Sequence, residues 1–319
     1  MTSPMTIRLM LSAILLVGIA LSPGMAVGQH EPLPEALAPF EALLPEHDEI
    51  VLALRDYERH QLAALESLRA RIQEATLQED SDAVQELVAE AREELEQVRL
   101  LYKAALAHHP ESAPLHNYLG EFLYDSLAEQ EEGLKLWEEA IALDDTESRA
   151  FNNLGIHYFH VGEYVKGLEY LDRVLELDDD NPDYLFNMAQ MHHIHTPQIA
   201  EIRDEEPVDI YRQGLAYSKR AAEVAPEDFS LQRDYAMNFF ASERFDIETD
   251  WEEAARAWQQ ARNAAARPDE VFMTWLNEGR AWIRAERYES AIVVLEAALE
   301  IHPNSNAAQQ LLEEAREAL

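Results

Sequence analysis

Small side chains recur along this chain at a spacing that limits how it can fold. One set is predicted on the first helices of successive helix pairs: Gly120, Gly155, Ala189, Ala236 and Gly279. A second set is predicted on the second helices: Gly133, Gly167, Gly214, Ala254 and Ala291. The steps Gly133 to Gly155, Gly167 to Ala189 and Gly214 to Ala236 each cover 22 residues, and the step Ala254 to Gly279 covers 25.

The step inside a pair is not fixed in the same way. It runs from 12 residues between Gly155 and Gly167 to 25 residues between Ala189 and Gly214. Helices that cross closely need small residues at the crossing, whereas extra residues at an exposed turn disturb no buried contact. The pattern therefore predicts stacked helical hairpins, with insertions between the first and second helices of the third and fourth repeats.

The residue types agree with an all-helical chain. Ala, Leu and Glu dominate, and apolar residues recur at intervals of three and four without the alternation typical of strands. Hydrophobic residues make up 47% of the 319 residues, which is enough to bury a sizeable core.

Two of the predicted repeats carry a recognisable set of residues. The second has Phe151, Leu154, Gly155, Tyr158, Gly162, Tyr164 and Gly167, and the fifth has Trp275, Gly279, Trp282, Tyr288, Ala291, Ala298 and Pro303. These residues resemble the tetratricopeptide repeat (TPR), a helix-turn-helix unit of about 34 residues. Glu278 departs from the pattern at a position where the repeat usually has Leu. The resemblance covers residues 111–303 and implies an all-α, TPR-type α-solenoid of about five repeats.

The flanks fit the same architecture. Helices are predicted over 46–78 and 81–107, with Asp80, Ser81 and Asp82 as the turn and N-cap between them, so that residues 46–110 form a long helical hairpin. Residues 29–45 are predicted as a linker. The segment 304–319 is predicted to hold a C-terminal capping helix in which Leu311 and Leu312 face the last repeat and the charged residues face water.

Charge and cysteine content exclude several classes of function. The chain has 62 acidic and 25 basic residues, for a net charge of -37, which argues against binding to nucleic acid or to an anionic membrane surface. The absence of cysteine excludes disulfides, thiolate metal sites and cysteine nucleophiles. A strongly solvated surface is the simplest interpretation of the acidity.

The first 28 residues have the pattern of a secretory signal. Arg8 is followed by the apolar run 9–21, and Ala26-Val27-Gly28 offers small residues at a cleavage site. The run is shorter than the roughly 20 residues that span a membrane. The sequence therefore predicts export to the periplasm or secretion, with cleavage near Gly28 and no membrane insertion afterwards; retention as an anchor is the alternative.

The resemblance also implies a partner-binding groove lined by the first helices. Carried over by repeat position, its lining residues are Asn117, Glu121, Tyr124, Arg149, Asn152, Ile156, Phe159, His160, Phe186, Gln190, His193, Arg233, Met237, Phe240, Arg280 and Arg284. Aromatic residues and arginine are enriched where proteins bury a partner.

This set is polarised, with acids in the first repeat and arginines in the fourth and fifth. Arginines in so acidic a chain point to an acidic peptide or a free carboxylate as the ligand. The Lys-and-Asn clamp of some TPR proteins is not reproduced, because Glu121 stands where Asn is needed. The predicted partner is therefore a protein or peptide other than a chaperone tail.

Five histidines support an alternative hypothesis, a metal-binding or metal-dependent protein: His157, His160, His192, His193 and His195. His192 stands where the repeat usually has a packed aromatic residue, which favours a structural role instead. Self-assembly of the array is a third hypothesis, whereas the capping helices predict a monomer.

No sequence motif indicates catalysis. The chain has no phosphate-binding glycine loop, zincin motif, nucleophile elbow or serine triad pattern. We therefore predict no catalytic residue and no cofactor, and we predict a non-enzymatic scaffold or adaptor.

Overall fold

The computed structural model describes residues 33–245 and 247–319 of the chain. Those residues form helices joined by turns and contain no strand. The chain divides into two compact units, an N-terminal unit ending at Leu154 and a C-terminal unit beginning at Gly155. The predicted signal, residues 1–28, lies outside the described residues.

The N-terminal unit contains the predicted hairpin, made of α1 (His47–Leu77) and α2 (Ser81–His108). The predicted N-cap is also present. Asp80 accepts a hydrogen bond from the backbone N–H of Ala83 at 3.1 Å, which satisfies one of the N–H groups left free at a helix start.

The segment before the hairpin packs against it, so its prediction as a linker is wrong for residues 33–45. Leu37, in the 3-10 helix Glu35–Phe40, is fully buried, and Leu44 is nearly so. The Phe40 ring lies edge-on to Tyr57 with 5.2 Å between centroids. Leu33, Leu37, Phe40 and Leu44 recur at intervals of three and four, and this helical period brings one apolar side to the hairpin core.

Helix pairs follow the hairpin. The first pair is α3 (Ala113–Ser126) and α4 (Gln130–Leu143), and the next helix, α5 (Ser148–His160), contains the boundary between the units. The remaining helices are α6 (Tyr164–Leu177), α7 (Pro182–Ile194), α8 (Thr196–Arg203), α9 (Pro207–Val224), α10 (Phe229–Asn238), α11 (Trp251–Ala264), α12 (Pro268–Arg284), α13 (Tyr288–Ile301) and α14 (Asn306–Glu317).

The crossing of α3 and α4 shows why glycine is needed. A Cβ atom added at Gly120 would lie 2.9 Å from the carbonyl oxygen of Gly133. A Cβ atom added at Gly133 would lie 2.8 Å from the carbonyl oxygen of Gly120. Each backbone thus occupies the space that a side chain on the other would need, so the two helix axes approach closely.

The C-terminal unit repeats this arrangement. A Cβ atom at Gly155 would lie 2.7 Å from Cγ of Leu171, and one at Gly167 would lie 3.1 Å from the carbonyl oxygen of Gly155. The small residues at the later predicted crossings are fully buried: Ala189, Ala236, Ala254 and Ala291. The prediction that small residues mark the helix crossings is confirmed.

Both predicted insertions lie between a first and a second helix. In the third repeat, α8 separates α7 from α9, and Arg203 fixes it by hydrogen bonds to Asp172 at 2.8 Å and Gln213 at 2.9 Å. In the fourth repeat, the 3-10 helix Phe239–Phe245 and the residues after it precede α11. We call residues 239–250 the inserted segment.

The departure at Glu278 is explained by a buried ion pair between α11 and α12. Glu278 is 4% exposed and accepts a hydrogen bond from the guanidinium group of Arg262. It also accepts one from the indole N–H of Trp282 at 3.2 Å. The Arg262 guanidinium lies 3.5 Å from the centre of the Trp275 ring. An ionic contact therefore replaces the apolar contact that Leu would make.

The C-terminal helix α14 begins after Ser305, whose hydroxyl caps it. Leu312 is buried and Leu311 partly buried against the apolar side chains of α12 and α13, as predicted. The fold class, all-α with TPR-type helix pairs, an N-terminal hairpin and a C-terminal helix, is confirmed. None of the described helices has both the length and the apolar character that crossing a bilayer requires.

Candidate functional site

In the N-terminal unit, the predicted groove residues differ in depth. Arg149 is exposed and Glu121 and Tyr124 are half-buried, whereas Asn117 is fully buried and Asn152 nearly so. The Asn117 side-chain oxygen accepts a hydrogen bond from the Asn153 amide at 3.1 Å. Asn117 thus holds adjacent first helices together and does not present its amide to a partner.

The hairpin contributes a residue to the same surface. Arg55 of α1 donates a hydrogen bond to Glu58 at 2.6 Å and lies 3.8 Å from Glu121. Its guanidinium also lies 4.2 Å from the centre of the Tyr118 ring, and that of Arg149 lies 5.2 Å from it. Two carboxylates balance Arg55, so this surface carries no excess of positive charge.

In the C-terminal unit, Ile156, Phe159 and His193 belong to the packed interior. Phe159 is 1% exposed, and a Cβ atom at Gly167 would lie 2.6 Å from its ring. His193 is 7% exposed and lies edge-on to Tyr211 with 5.2 Å between ring centroids. Phe159 and His193 fill space left by Gly167 and Gly214, and Ile156 is also buried, so none of the three is available to a partner.

The histidines do not form a metal site in the described part of the chain, where no group of three His, Cys, Asp or Glu side chains is placed to hold an ion. Burial lowers the pKa of both His192 and His193 to about 4, so both are neutral at pH 7. His160 is exposed, and His195 packs against the Tyr164 ring at 5.0 Å. The metal-binding alternative therefore gains no support.

The other predicted residues of the C-terminal unit lie on the first helices α7, α10 and α12, except Phe240, which follows α10 directly. We call this surface the first-helix face, and its members are Phe186, Gln190, Arg233, Met237, Phe240, Arg280 and Arg284. The Gln190 amide donates to Asp234 at 2.7 Å, which joins α7 to α10. Burial raises the pKa of Asp234 to about 6, although hydrogen bonds from Asn238 and Gln190 oppose this. Met237 is 47% exposed and offers apolar area next to these polar groups.

Arginines and aromatic rings meet at one end of this face. The Arg280 guanidinium lies 4.8 Å from the centre of the Phe240 ring. The Arg284 guanidinium lies 5.4 Å from Phe240 and 5.2 Å from Trp251. Phe240, Trp251, Arg280 and Arg284 form what we call the arginine–aromatic cluster. Flat guanidinium groups over aromatic rings are held in orientation while their N–H edges stay free to bind.

The cluster has an excess of positive charge. Arg284 donates to Glu243 at 2.6 Å, while Arg280 donates to the neutral side-chain oxygen of Asn277 at 2.9 Å. Arg280 makes no ion pair with the other described residues. Burial lowers the pKa of Arg280 and the nearby charge of Arg284 lowers it further, while the Glu243 carboxylate acts in the opposite direction. Two guanidinium groups therefore face one carboxylate, an arrangement that favours a second anion.

Three participants were missed by the sequence analysis: Arg55, Glu243 and Trp251. Arg55 lies in the hairpin, and the other two lie in or next to the inserted segment, where repeat positions give no guide. The available signal was the presence of two aromatic residues and an acid, Phe240, Trp251 and Glu243, in or next to the predicted insertion of the fourth repeat.

Comparisons with known proteins agree with this architecture. No family model matches the chain. Photosystem I assembly protein Ycf3 of Cyanophora paradoxa is 31% identical over 114 residues, covering 33% of this chain and 66% of that protein. The Peroxisomal targeting signal receptor of Candida albicans is 26% identical over 214 residues, covering 58% of this chain and 35% of that protein. The chain thus spans about two thirds of the first relative and about one third of the second.

A solved structure identifies the fold. The C-terminal part of a TPR repeat-containing protein from Cytophaga hutchinsonii matches with a TM-score of 0.52 at 11% identity, over 86% of this chain and 98% of that one. The chain has a tetratricopeptide-repeat fold. Within this TPR fold, the small residues at the crossings are the motif positions, and the inserted segment is an addition to the fourth repeat.

Proposed function

We infer that the chain is a protein-interaction scaffold whose first-helix face binds an acidic segment of a partner protein. The observation that carries this proposal is the arginine–aromatic cluster, in which Arg280 and Arg284 face one carboxylate, that of Glu243. A partner carboxylate at Arg280 would accept two parallel hydrogen bonds from its guanidinium edge. Phe240 and Trp251 supply flat apolar area beside it.

A protein partner is supported by the relatives. By their names, one is an assembly protein and another is a receptor for a targeting signal. The proposal assigns no catalytic residue and no cofactor, and it leaves Asn117, Phe159 and His193 out of the contact surface because they are buried.

The net charge of -37 opposes an acidic partner at long range. At physiological ionic strength, however, interactions between exposed charges are screened beyond about 8 Å. Within that distance, the two arginines of the cluster face the single carboxylate of Glu243, which leaves an excess of positive charge beside a bound ligand. The local attraction therefore outweighs the distant repulsion, and binding is expected to weaken at low salt, where the repulsion reaches further.

Arg280→Ala/Arg284→Ala is expected to weaken binding of acidic peptides tenfold or more, which corresponds to the loss of about 1.4 kcal/mol or more. The peptides come from a synthetic array in which each acidic sequence is paired with its Gln-substituted copy. Affinities are measured by fluorescence anisotropy, and circular dichroism checks that helical content is unchanged.

The control for this variant is Arg220→Ala/Arg256→Ala, which removes the same charge from exposed positions on the second helices α9 and α11. Its affinity should stay within about twofold of the parent chain, a difference smaller than one hydrogen bond contributes. Equal losses in both variants would refute the assignment of the site. Equal binding of acidic and Gln-substituted peptides would refute an acidic partner.

We also propose that the protein is exported and works as a monomer in the periplasm or outside the cell. Residues 1–28 have the pattern of a cleaved signal, and α14 covers apolar side chains of the last repeat. Intact-mass measurement of protein recovered from the periplasm or medium is expected to show a chain beginning after Gly28. Recovery from the cytoplasm with residues 1–28 retained would contradict this.

A further inference from the structure

One carboxylate of the chain already occupies the arginine–aromatic cluster. Glu243 accepts a hydrogen bond from Nε of Arg284 at 2.6 Å. The Glu243 side chain is 51% exposed and that of Arg284 is 31% exposed. Glu243 comes from the inserted segment, which lengthens the connection between α10 and α11. A negative group placed there by an insertion contacts the same arginine that the proposed function gives to a partner.

The backbone beside Glu243 is held more firmly than its carboxylate. Ser242 is fully buried and its hydroxyl donates to the carbonyl oxygen of Phe239 at 2.7 Å. Thr249 donates to the Ser242 hydroxyl at 2.5 Å, and the Ile247 N–H donates to the Ser242 carbonyl at 3.3 Å. These bonds fix the start of the Glu243 side chain next to the cluster. The half-exposed carboxylate can still rotate into water, because among the described residues it is held by its hydrogen bond from Arg284.

An exposed ion pair of this kind is weak. Such pairs change an equilibrium constant by only a few-fold, since water and salt compete for both partners. A partner carboxylate that also contacts Arg280 and an aromatic ring gains more interaction free energy than the chain loses when the Glu243–Arg284 ion pair breaks. The ion pair is therefore strong enough to lower the affinity of ligands that make few contacts. It is too weak to prevent binding of a ligand that makes many.

We propose that Glu243 is an internal competitor, which occupies Arg284 in the free chain and is displaced when a carboxylate of the partner binds. This inference rests on the proposed function and concerns regulation of the same site. Competition by Glu243 would make the site more selective, because only ligands with enough contacts to displace Glu243 would bind. The opposite role is that Glu243 orients Arg284 for the ligand, and the two roles predict opposite effects of removing its charge.

The test compares Glu243→Gln with Glu248→Gln. Glu248 is exposed on the same segment, so each variant loses one negative charge from the inserted segment. The tightest acidic peptide of the array should bind Glu243→Gln about two- to fivefold more tightly than the parent chain, the range that an exposed ion pair contributes. It should bind Glu248→Gln with the affinity of the parent chain. Unchanged or weakened binding to Glu243→Gln would overturn the proposal.

A second measurement needs no peptide. Phenylglyoxal modifies free guanidinium groups, and the rate at Arg284 is followed by peptide mass spectrometry. The rate should rise severalfold in Glu243→Gln and remain unchanged in Glu248→Gln. An unchanged rate in both variants would overturn the occupation of Arg284 by Glu243. A raised rate, in a chain that binds no acidic peptide, would instead overturn the proposed function.

Discussion

Glu278→Ala is expected to lower the free energy of unfolding by about 3–5 kcal/mol, the usual effect of removing one partner of a buried ion pair. Arg262 would keep its charge with its side chain only 15% exposed. The indole N–H of Trp282 would lose its acceptor as well. Urea denaturation followed by circular dichroism measures the change, provided that the slope with denaturant is unchanged.

Two further variants show whether the unpaired charge is the cause. Arg262→Leu/Glu278→Leu removes both charges and restores the Leu that the repeat pattern favours, so it should be close to neutral. Glu296→Ala breaks the exposed ion pair with Arg316 and should cost less than about 1 kcal/mol. If Glu278→Ala were as mild as Glu296→Ala, the pair between α11 and α12 would not be buried in solution.

Gly133→Leu is expected to destabilise the chain by about 3 kcal/mol, at the upper end of the effect of overpacking. The new Cβ atom would meet the Gly120 carbonyl oxygen at 2.8 Å and Cβ of Tyr124 at 2.9 Å. Both obstacles are fixed by α3, so the helices must separate. The better helix propensity of Leu, about 1 kcal/mol over Gly, offsets only part of this. Thermal and urea unfolding measure the loss.

Gly155→Leu should be milder, about 1–3 kcal/mol, because the nearest obstacle is the flexible side chain of Leu171. Ala142→Leu, at an exposed position of α4, serves as the control and should change stability by less than about 0.5 kcal/mol. A neutral result for Gly133→Leu would mean that α3 and α4 do not cross at Gly120 and Gly133.

The helix pairs could be predicted from sequence because the crossing constraint acts on one atom. Where two carbonyl oxygens lie within about 3 Å of the opposite Cβ positions, as at Gly120 and Gly133, almost any other residue type is excluded. That constraint leaves only glycine at this crossing, while the wider crossings at Ala189, Ala236, Ala254 and Ala291 accept a buried alanine. The helix ends of the hairpin could also be predicted, since Asp80 is a strong N-cap signal.

The depth of the groove residues could not be predicted in the same way. A repeat position predicts which side of the helix a residue lies on. Its burial also depends on how much space the side chains of the neighbouring helix leave. Phe159 is buried because Gly167 leaves room for its ring, and His193 is buried beside Gly214. At Gly167 and Gly214, a small residue on a second helix leaves room for a large buried side chain on the first helix, whereas Tyr124 beside Gly133 stays half-buried.

The contacts of the inserted segment could not be predicted for a different reason. Glu243 and Trp251 have no counterpart in a unit of about 34 residues, so no pattern assigns their positions. Their contacts with Arg284 depend on the path of a connection that the periodicity of the helices does not determine. Arg55 could not be predicted for the same reason, because the hairpin lies outside the repeats and has no repeat positions.

The inserted segment also bears on how such a protein can change over evolution. Residues at the crossings are constrained by their neighbours, whereas a connection at the edge can gain or lose residues without disturbing them. Phe240 and Glu243 reach the arginines of α12 through such a connection. Changes within the dozen residues of the inserted segment could therefore give a new ligand preference, while the packed helix pairs keep their structure.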